Sequence, residues 1–425
     1  MDLLADLDAR GLVHDTTDRE ALAARLAEGP ITVYHGMDPS ADSLHTGNLI
    51  GLIALRRFQL AGHRPIALAG GATGMVGDPS GRSGERNLLD EETLRANVEA
   101  IKAQIARVLG PIGDWELVDN YDWTSKLTLL DFLRDVGKHA TVNQMIARES
   151  VKARMASEHG ISYTEFSYML LQAHDYWWLH QHRGCELQIG GSDQWGNILS
   201  GVDLIRRRDG VAVHALSWPL LEAPDGTKLG KTTGARIWLD PARTSPYQLF
   251  QHFLNTDDRQ VRQMLLWFTL LPVEEIDALV AAHEVAPERR EAQRVLAREV
   301  TGLVHGADEA ARAESGSRDW DENRDPSVLA AREGTIDTTY LGSQPASLEV
   351  VPLLVQTGLA ASRSAATRLI KQGGVSVGDE RVTDPALVID PAAFVDGRWL
   401  MLGVGKRQRH LLVLDEGVDV RGEHQ

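Results

Sequence analysis

The sequence predicts an α/β protein: a Rossmann-like parallel-sheet domain, then an all-helical domain, then a small α+β domain. Three observations lead there. Short β-branched and apolar runs, "PITVYHGM", "RPIALAGG" and "CELQIGG", each lead into glycine and a turn. Long helical patterns separate them, among them "LHTGNLIGLIALRRFQLAG", "DEETLRANVEAIKAQIARVLG" and "EFSYMLLQAHDYWWLHQ". Strands alternating with helices of that length build a parallel sheet covered on both faces. Ligands of such sheets bind beyond the carboxyl ends of the strands, at the glycine-rich turns. The third observation is that the strand pattern then stops.

From about Pro241 to Arg312, "SPYQLFQHFLNT", "VRQMLLWFTLL" and "PERREAQRVLAREVTGLVHG" read as successive amphipathic helices. The polar stretch "ESGSRDWDENRDPSVLAAREGT" has no sustained period and reads as a linker or loosely ordered segment. From about Ser347, "EVVPLLVQTGLAASRSAATRLIKQGGVSVGDERV" gives two helices, a Gly-Gly turn and a strand. The expected division is a sheet domain over 1–222, a mobile loop and connection over 223–240, and a helical domain over 241–330. A linker over 331–346 and a small domain over 347–425 complete it.

A chain of 425 residues, 43% of them hydrophobic, can bury the cores of two or three domains. It has no run of about twenty apolar residues, so no membrane-spanning helix is expected. Its acidic start, "MDLLADLDARGLVHDTTDRE", reads as an amphipathic helix and not as a secretory signal. The single cysteine, Cys185, excludes an internal disulfide framework or a cysteine-built metal cluster, and suits a reducing, cytoplasmic compartment. A net charge of −16 argues against a protein that coats nucleic acid nonspecifically. Local basic surfaces remain open, because screening confines charge effects to about 10 Å. From Leu348 onward, nine Lys/Arg nearly balance ten Asp/Glu.

The stretch "YHGMDPSADSLHTGNL", Tyr34 to Leu49, carries the first chemical signal. A strand ends near Tyr34, a loop crosses Gly36 and Pro39, and a helix is expected to start around Ser43 or Leu44, with Asp42 a candidate cap. His45 then lies in the first turn, with Asn48 three residues on and on the same face. A helix N-terminus carries free amides and partial positive charge, which suits phosphate. A metal reading fails for want of ligands, since no HExxH or Cys/His grid is present. On these residues alone, a phosphate site and a capped helix with an incidental histidine stand level. "DGTKLGKTTG", Asp225 to Gly234, adds a polar, glycine-rich loop whose Lys228, Lys231 and Thr232 are suited to an anion, without Walker P-loop spacing.

Together, "HTGN" and "KLGKT" resemble the two signature motifs of the class I aminoacyl-tRNA synthetases. "GGATGMVGDPSGR", "DNYDW", "TEFSYMLLQAHD" and "QIGGSDQWGNI", in order along nearly the whole chain, are similar specifically to the bacterial tyrosyl-tRNA synthetase family. The resemblance implies ATP-dependent activation of L-tyrosine to tyrosyl-adenylate, then transfer to the 3′ end of tRNA(Tyr) with release of AMP and pyrophosphate. It implies ATP with Mg2+ as substrate, no tightly bound cofactor and no metal site of the protein's own. Such chemistry needs no protein nucleophile, only positioning and stabilisation of phosphoryl charge. His45, Asn48, Ser40, Lys228, Lys231 and Thr232 fall at catalytic positions, and Arg82 and Arg86 of "GDPSGRSGER" add cations. Two positions depart from the common form: Ser40 stands for threonine, and Asn48 for a second histidine. Asparagine keeps an amide donor but removes any titrating group. Gly36, Asp38, Gly47, Gly191 and Asp193, with His45, Asn48 and Lys231, match the ATP positions. For Gly47 and Gly191 the implied need is a missing Cβ where a nucleotide packs on the backbone.

The resemblance also sets Tyr34 and Asp175 against the substrate phenol, and Asp78, Tyr168, Gln172 and Gln194 around the rest of the amino acid. Tyr168, Gln172 and Asp175 fall at i, i+4 and i+7 on one helical face. A buried carboxylate at 175 needs a partner, and a substrate hydroxyl provides one. For tRNA, the candidates are Arg206, Arg207 and Arg208 at a helix end, and Arg363, Arg368 and Lys371 in a small RNA-binding module at the C-terminus. The helical region resembles an anticodon-contacting domain. A homodimer is implied, with "SYTEFSYMLL" and "DFLRDVGKHATVNQM" as interface segments. Two other readings stand beside this one: the tryptophan enzyme of the same subclass, and an RNA-binding protein on a synthetase scaffold that has lost catalysis.

Overall fold

The structure is a computed structural model describing residues 2–78, 80, 90–111, 115–156, 160–221, 236–323, 326, 329, 336–342, 348–405 and 408–414. The chain divides into two compact units, Met1–Asp240 with Arg262–Ala282, and Pro241–Val261 with His283–Gln425. The principal elements of the first are α1 (Leu3–Ala9), β1 (Asp15–Thr16), α2 (Arg19–Glu28), β2 (Thr32–Met37), α3 (Thr46–Leu60) and β3 (Arg64–Ala69). They continue with α4 (Glu91–Leu109), β4 (Glu116–Asp119), α5 (Tyr163–Arg183), β5 (Cys185–Gly191), α6 (Trp195–Asp209) and β6 (His214–Trp218).

The sheet order is β1-β6-β5-β2-β3-β4, parallel throughout except for β1 at the edge. The three strands legible in the sequence are the central ones, β2, β3 and β5. A strand covered on both faces reads as a nearly continuous apolar run. β1 spans two residues, β4 is half polar and β6 is entered through a histidine, so none of the three has that signature.

Local chemistry sets the helix ends. Asp90 accepts the N–H of Thr93 at 2.8 Å to open α4, and Ser162 that of Glu165 at 3.2 Å to open α5. Gly184 and Gly210 end α5 and α6 in the left-handed region, at φ +60 and +71. Helix α3 buries Leu49, Leu52, Ile53, Leu55 and Phe58, side chains worth about 1.5–3 kcal/mol each on burial. It starts at Thr46 and not at Ser43 or Leu44: His45 is the N-cap, and Asp42 lies outside the helix.

Beyond β6 come α7 (Pro246–Leu254), α8 (Val261–Phe268), α9 (Val273–Val285), α10 (Glu291–His305) and α11 (Ala307–Asn323). The region from Pro241 is helical as expected, but 262–282 belongs to the first unit. Two buried arginines fasten it there. Arg10 donates to the carbonyls of Leu266 at 3.4 Å and Leu271 at 2.9 Å, and Arg57 to those of Leu266 at 3.2 Å and Thr269. Those carbonyls lie at and beyond the C-terminal end of α8, where helical acceptors have no partner of their own.

In the second unit, α7, α10 and α11 pack together. The stretch read as a linker from Glu314 is helical as far as Asn323. Ser317 is buried there and accepts from Gln251 Nε2 at 2.9 Å, so a small polar residue serves the packing that the sequence pattern lacks. Thr338–Tyr340, also expected to be linker, forms β7. It extends a sheet ordered β7-β11-β10-β8-β9, with β8 (Val375–Val377), β9 (Glu380–Val382), β10 (Trp399–Val404) and β11 (Gln408–Val413). α12 (Val350–Gln356) and α13 (Arg363–Lys371) pack on it through Leu353, Leu354, Ala366 and Ile370, against Leu402 and Leu412. Among the described residues no helix is long and apolar enough to cross a membrane.

Candidate active site

The sheet order reverses between β2 and β5: the chain runs from β2 outward through β3 and β4, then returns to β5 on the other side. Connections leaving in opposite directions open a crevice at the carboxyl ends of those two strands. A cavity of about 330 Å³ lies there. Every described residue assigned above to ATP or tyrosine lines it: Tyr34, Gly36, Asp38, Ser40, His45, Gly47, Asn48, Asp78, Tyr168, Gln172, Asp175, Gly191, Asp193 and Gln194. Lys228, Lys231, Thr232, Arg82 and Arg86 lie outside the described residues.

At the inner end, Tyr34 on β2 is 1% exposed, and its hydroxyl has no hydrogen-bond partner among the described residues. Asp175 on α5 is 2% exposed. Its carboxylate already has protein partners, which the sequence reading lacked: Asn120 Nδ2 donates to Oδ2 at 2.9 Å and Trp123 Nε1 to Oδ1 at 2.8 Å. Burial pushes the Asp175 carboxyl up to about 7, and the two hydrogen bonds hold it down against that. The signal was present in "DNYDW", where the strand β4 ends and a short turn points an amide and an indole the same way.

At the middle, Gln194 Nε2 donates to Asp78 Oδ2 at 2.5 Å, and Asn197 Nδ2 to Asp78 Oδ1 at 3.3 Å. Tyr168 donates from its hydroxyl to both oxygens of Asp38 at 3.4 Å, and Thr73 Oγ1 donates to Oδ1 at 3.2 Å. Gly70 makes room for that cluster, because a Cβ there would stand 2.5 Å from Asp38 Oδ1 and from Thr73 Oγ1.

At the outer end is the start of α3. His45 Nδ1 accepts the N–H of Gly47 at 3.0 Å, and Asn48 Oδ1 accepts the N–H of His45 at 3.1 Å, a reciprocal capping box. Burial, and secondarily the charge of Arg236, lowers the His45 imidazole to about 4. It is therefore neutral, and with Nδ1 accepting, its proton sits on Nε2. The need for glycine at 47 is met within the protein: a Cβ would lie 2.8 Å from His45 Cε1.

Two more cavity residues went unforeseen. His35 donates from Nδ1 toward the Ile189 carbonyl at 3.2 Å and meets the Trp218 ring edge-on at 5.2 Å. Arg236 follows the second motif, on a segment paired to the first: Thr46 donates its N–H to Ile237 O at 3.1 Å, and Leu239 to Leu44 O at 2.8 Å. Both depend on pairings between segments far apart in sequence, which leave no local pattern.

The basic residues divide. Arg206 pairs with Asp203 at 2.8 Å, Arg207 donates to the His139 carbonyl and to Gln144 Oε1, and Arg208 lies 3.7 Å over the Trp177 ring. These three bind their own protein. Arg363, Arg368 and Lys371 stand exposed on α13.

Residues 26–320 match the family model of class I tRNA synthetases (W and Y), and residues 333–412 that of the tyrosine–tRNA ligase SYY-like C-terminal domain. A tyrosine–tRNA ligase of Opitutus terrae is 48% identical over 417 residues, spanning 96% of this chain and 98% of the relative. One of Mycobacterium bovis is 49% identical over 417 residues, spanning 95% and 97%. Among solved structures, a C-terminally truncated mitochondrial tyrosyl-tRNA synthetase of Aspergillus nidulans matches with a TM-score of 0.67 at 34% identity. That match covers 75% of this chain and 93% of that one. With a sheet reversed at the cavity, a capped helix opening onto it and a matched C-terminal domain, the chain belongs to the class I tRNA synthetases of the tryptophan and tyrosine group.

Proposed function

We propose that this chain is a tyrosine–tRNA ligase: it activates L-tyrosine with ATP and transfers the tyrosine to the 3′ end of tRNA(Tyr). The observation that carries the choice of amino acid is the buried Tyr34 hydroxyl, without a partner among the described residues, on the wall it shares with Asp175. A substrate phenol supplies a partner to both. Phenylalanine leaves the Tyr34 hydroxyl unmet, and a site built to bind a hydroxyl rejects the analogue lacking it.

In activation, a tyrosine carboxylate oxygen bonds to the α-phosphorus of ATP, and the bond to the bridging oxygen breaks as pyrophosphate leaves. In transfer, a 3′-terminal ribose hydroxyl of tRNA attacks the adenylate carbonyl and AMP leaves. His45 Nε2–H, the Asn48 amide and the first amides of α3 are donors suited to the phosphates, aided by the helix dipole. Lys228, Lys231, Thr232, Arg82 and Arg86 are assigned there by resemblance, and Ser40 with them. Mg2+ is taken as the companion of ATP, part of the substrate. Asp78, Gln194, Tyr168 and Gln172 are assigned to the amino acid. Gly36, Asp38, Gly191 and Asp193 are assigned to the nucleotide.

Support for tRNA contact comes from Arg363, Arg368 and Lys371 on α13, three cations on one short exposed helix. A homodimer is supported by exposed Leu133 and Val142 on the expected interface segment, and by Leu129 (71%) and Leu130 (75%) just before it. The single cysteine, free and buried, fits a cytoplasmic protein.

ATP–pyrophosphate exchange with each amino acid tests the reading. Exchange driven by tyrosine and not by tryptophan or phenylalanine is the expected result. Exchange with tryptophan alone transfers the assignment to the sister enzyme, and no exchange with any of them favours a scaffold without catalysis.

A further inference from the structure

Arg236 belongs to neither signature motif, yet it lines the cavity beside His45. The register fixes where its side chain points. His45 and Trp238 are directly opposed in an antiparallel bridge. Opposed residues present their side chains to one face, and residues two apart on an extended segment share that face. His45, Trp238 and Arg236 therefore project together. The distances agree: the His45 and Trp238 rings are 6.3 Å apart, and the Arg236 guanidinium lies 5.1 Å from the centroid of the Trp238 ring.

The start of α3 and Arg236 set positive charge side by side. The amides at the start of α3 already carry partial positive charge, and a cation beside them is repelled. Four carboxylates line the same cavity, Asp38, Asp78, Asp175 and Asp193, and among the described residues no contact ties Arg236 to any of them closer than the Trp238 ring. The Trp238 ring steadies the guanidinium without neutralising it. A polyanion in the cavity resolves the repulsion, since it meets the helix terminus and the guanidinium at once.

We infer that Arg236 is a catalytic residue of the activation step, its guanidinium bonding the phosphates of ATP and stabilising charge on the α-phosphoryl group and the leaving pyrophosphate. The inference rests on the ATP site proposed above. It gives this chain a fixed cation at the end of α3 where Asn48 replaces an ionisable side chain. A planar fork of donors suits phosphate oxygens better than a point charge.

The test uses the full-length protein, with tyrosine-dependent ATP–pyrophosphate exchange, tyrosine binding by intrinsic fluorescence, and thermal unfolding with and without ATP. For Arg236→Gln, kcat/KM for ATP falls at least about tenfold, while tyrosine affinity stays within about twofold. Tm without ligand is not lowered, the ATP-induced rise in Tm shrinks, and Arg236→Lys, which keeps the charge but not the fork, recovers only part of the lost exchange. Unchanged ATP dependence in Arg236→Gln overturns the inference. So does a parallel loss of tyrosine affinity and ligand-free Tm, which marks a structural role. If the unaltered protein gives no tyrosine-dependent exchange, the ATP-site reading itself falls, a result distinct from either of these.

Discussion

Asn48 and His45 cap each other: the Asn48 side chain accepts the N–H of His45 at 3.1 Å, while the His45 ring satisfies an amide of the first turn. The asparagine at this position thus has a structural task beside its chemical one. Asn48→Ala is expected to cost about 1 kcal/mol of stability, the usual worth of a cap. It should also weaken ATP use in exchange. Urea unfolding measures the first, and a loss of ATP use with no change in stability would contradict the capping role.

Tyr34→Phe separates function from stability. The Tyr34 hydroxyl is buried with no partner among the described residues, so removing it relieves a desolvated group and should leave Tm equal or higher. The KM for tyrosine should rise by roughly two- to tenfold, the worth of one neutral hydrogen bond. A lower Tm with unchanged KM would show that the hydroxyl serves the fold.

Gly51 and His35 form a matched pair. A Cβ at position 51 would stand 2.2 Å from His35 Nε2 and 2.5 Å from its Cδ2. The ring has little freedom to yield, being held by the Ile189 carbonyl and the Trp218 edge. Alanine in a helix gains about 1 kcal/mol over glycine, but overpacking costs about 1–3 kcal/mol, so Gly51→Ala should destabilise. In a His35→Ala background the same change should stabilise. That reversal of sign, read by thermal unfolding, is the decisive measurement.

Acid should weaken the fold. Burial lowers His35, His45, His174 and His410 each to about 4. The unfolded chain then binds protons between pH 6.5 and 4 that the folded one refuses, so stability falls as pH drops through that range, by up to about 3 kcal/mol per imidazole. Asp175 acts oppositely. Its folded value near 7 lies above the unfolded one, so its contribution is greatest at low pH and is lost as pH rises toward 7. Four groups outweigh one, and net stability should fall on acidification from pH 6.5 to 5. Asp175→Asn should steepen that fall, as followed by unfolding at several pH values.

The apolar strip at Leu129 and Leu130 should be covered in the assembled protein. Leu130→Lys is expected to shift sedimentation toward the monomer while leaving the isolated fold intact. A species unchanged in size at low micromolar concentration would remove this surface from the interface.

How much of this was legible beforehand follows a physical division. The central strands announced themselves because burial on both faces makes a strand apolar along its length. Resemblance named Tyr168, Gln172 and Asp175, helical spacing set them on one face, and all three line the cavity. Asn120 and Trp123 stood in the quoted "DNYDW" without a role, because what they bind lies on another element, and His35 and Arg236 owe their positions to strand order or to the register of a distant segment. The helix to Asn323 escaped because small polar residues carry its packing. The arginines at the end of α6 read as candidates for tRNA phosphate, and the partners they have within the fold, a carboxylate, two carbonyls, a side-chain amide and an indole ring, left no local pattern.

The two donors on Asp175 have a bearing on redesign. Anyone wishing this scaffold to accept a different aromatic amino acid meets three side chains that must change as a set. Replacing the carboxylate alone strands the Asn120 amide and the Trp123 indole in a dry interior, each wanting an acceptor. Selectivity here is stored in the fold's own wiring, and a library that varies positions 34, 120, 123 and 175 jointly should yield soluble variants where one that varies 175 by itself does not.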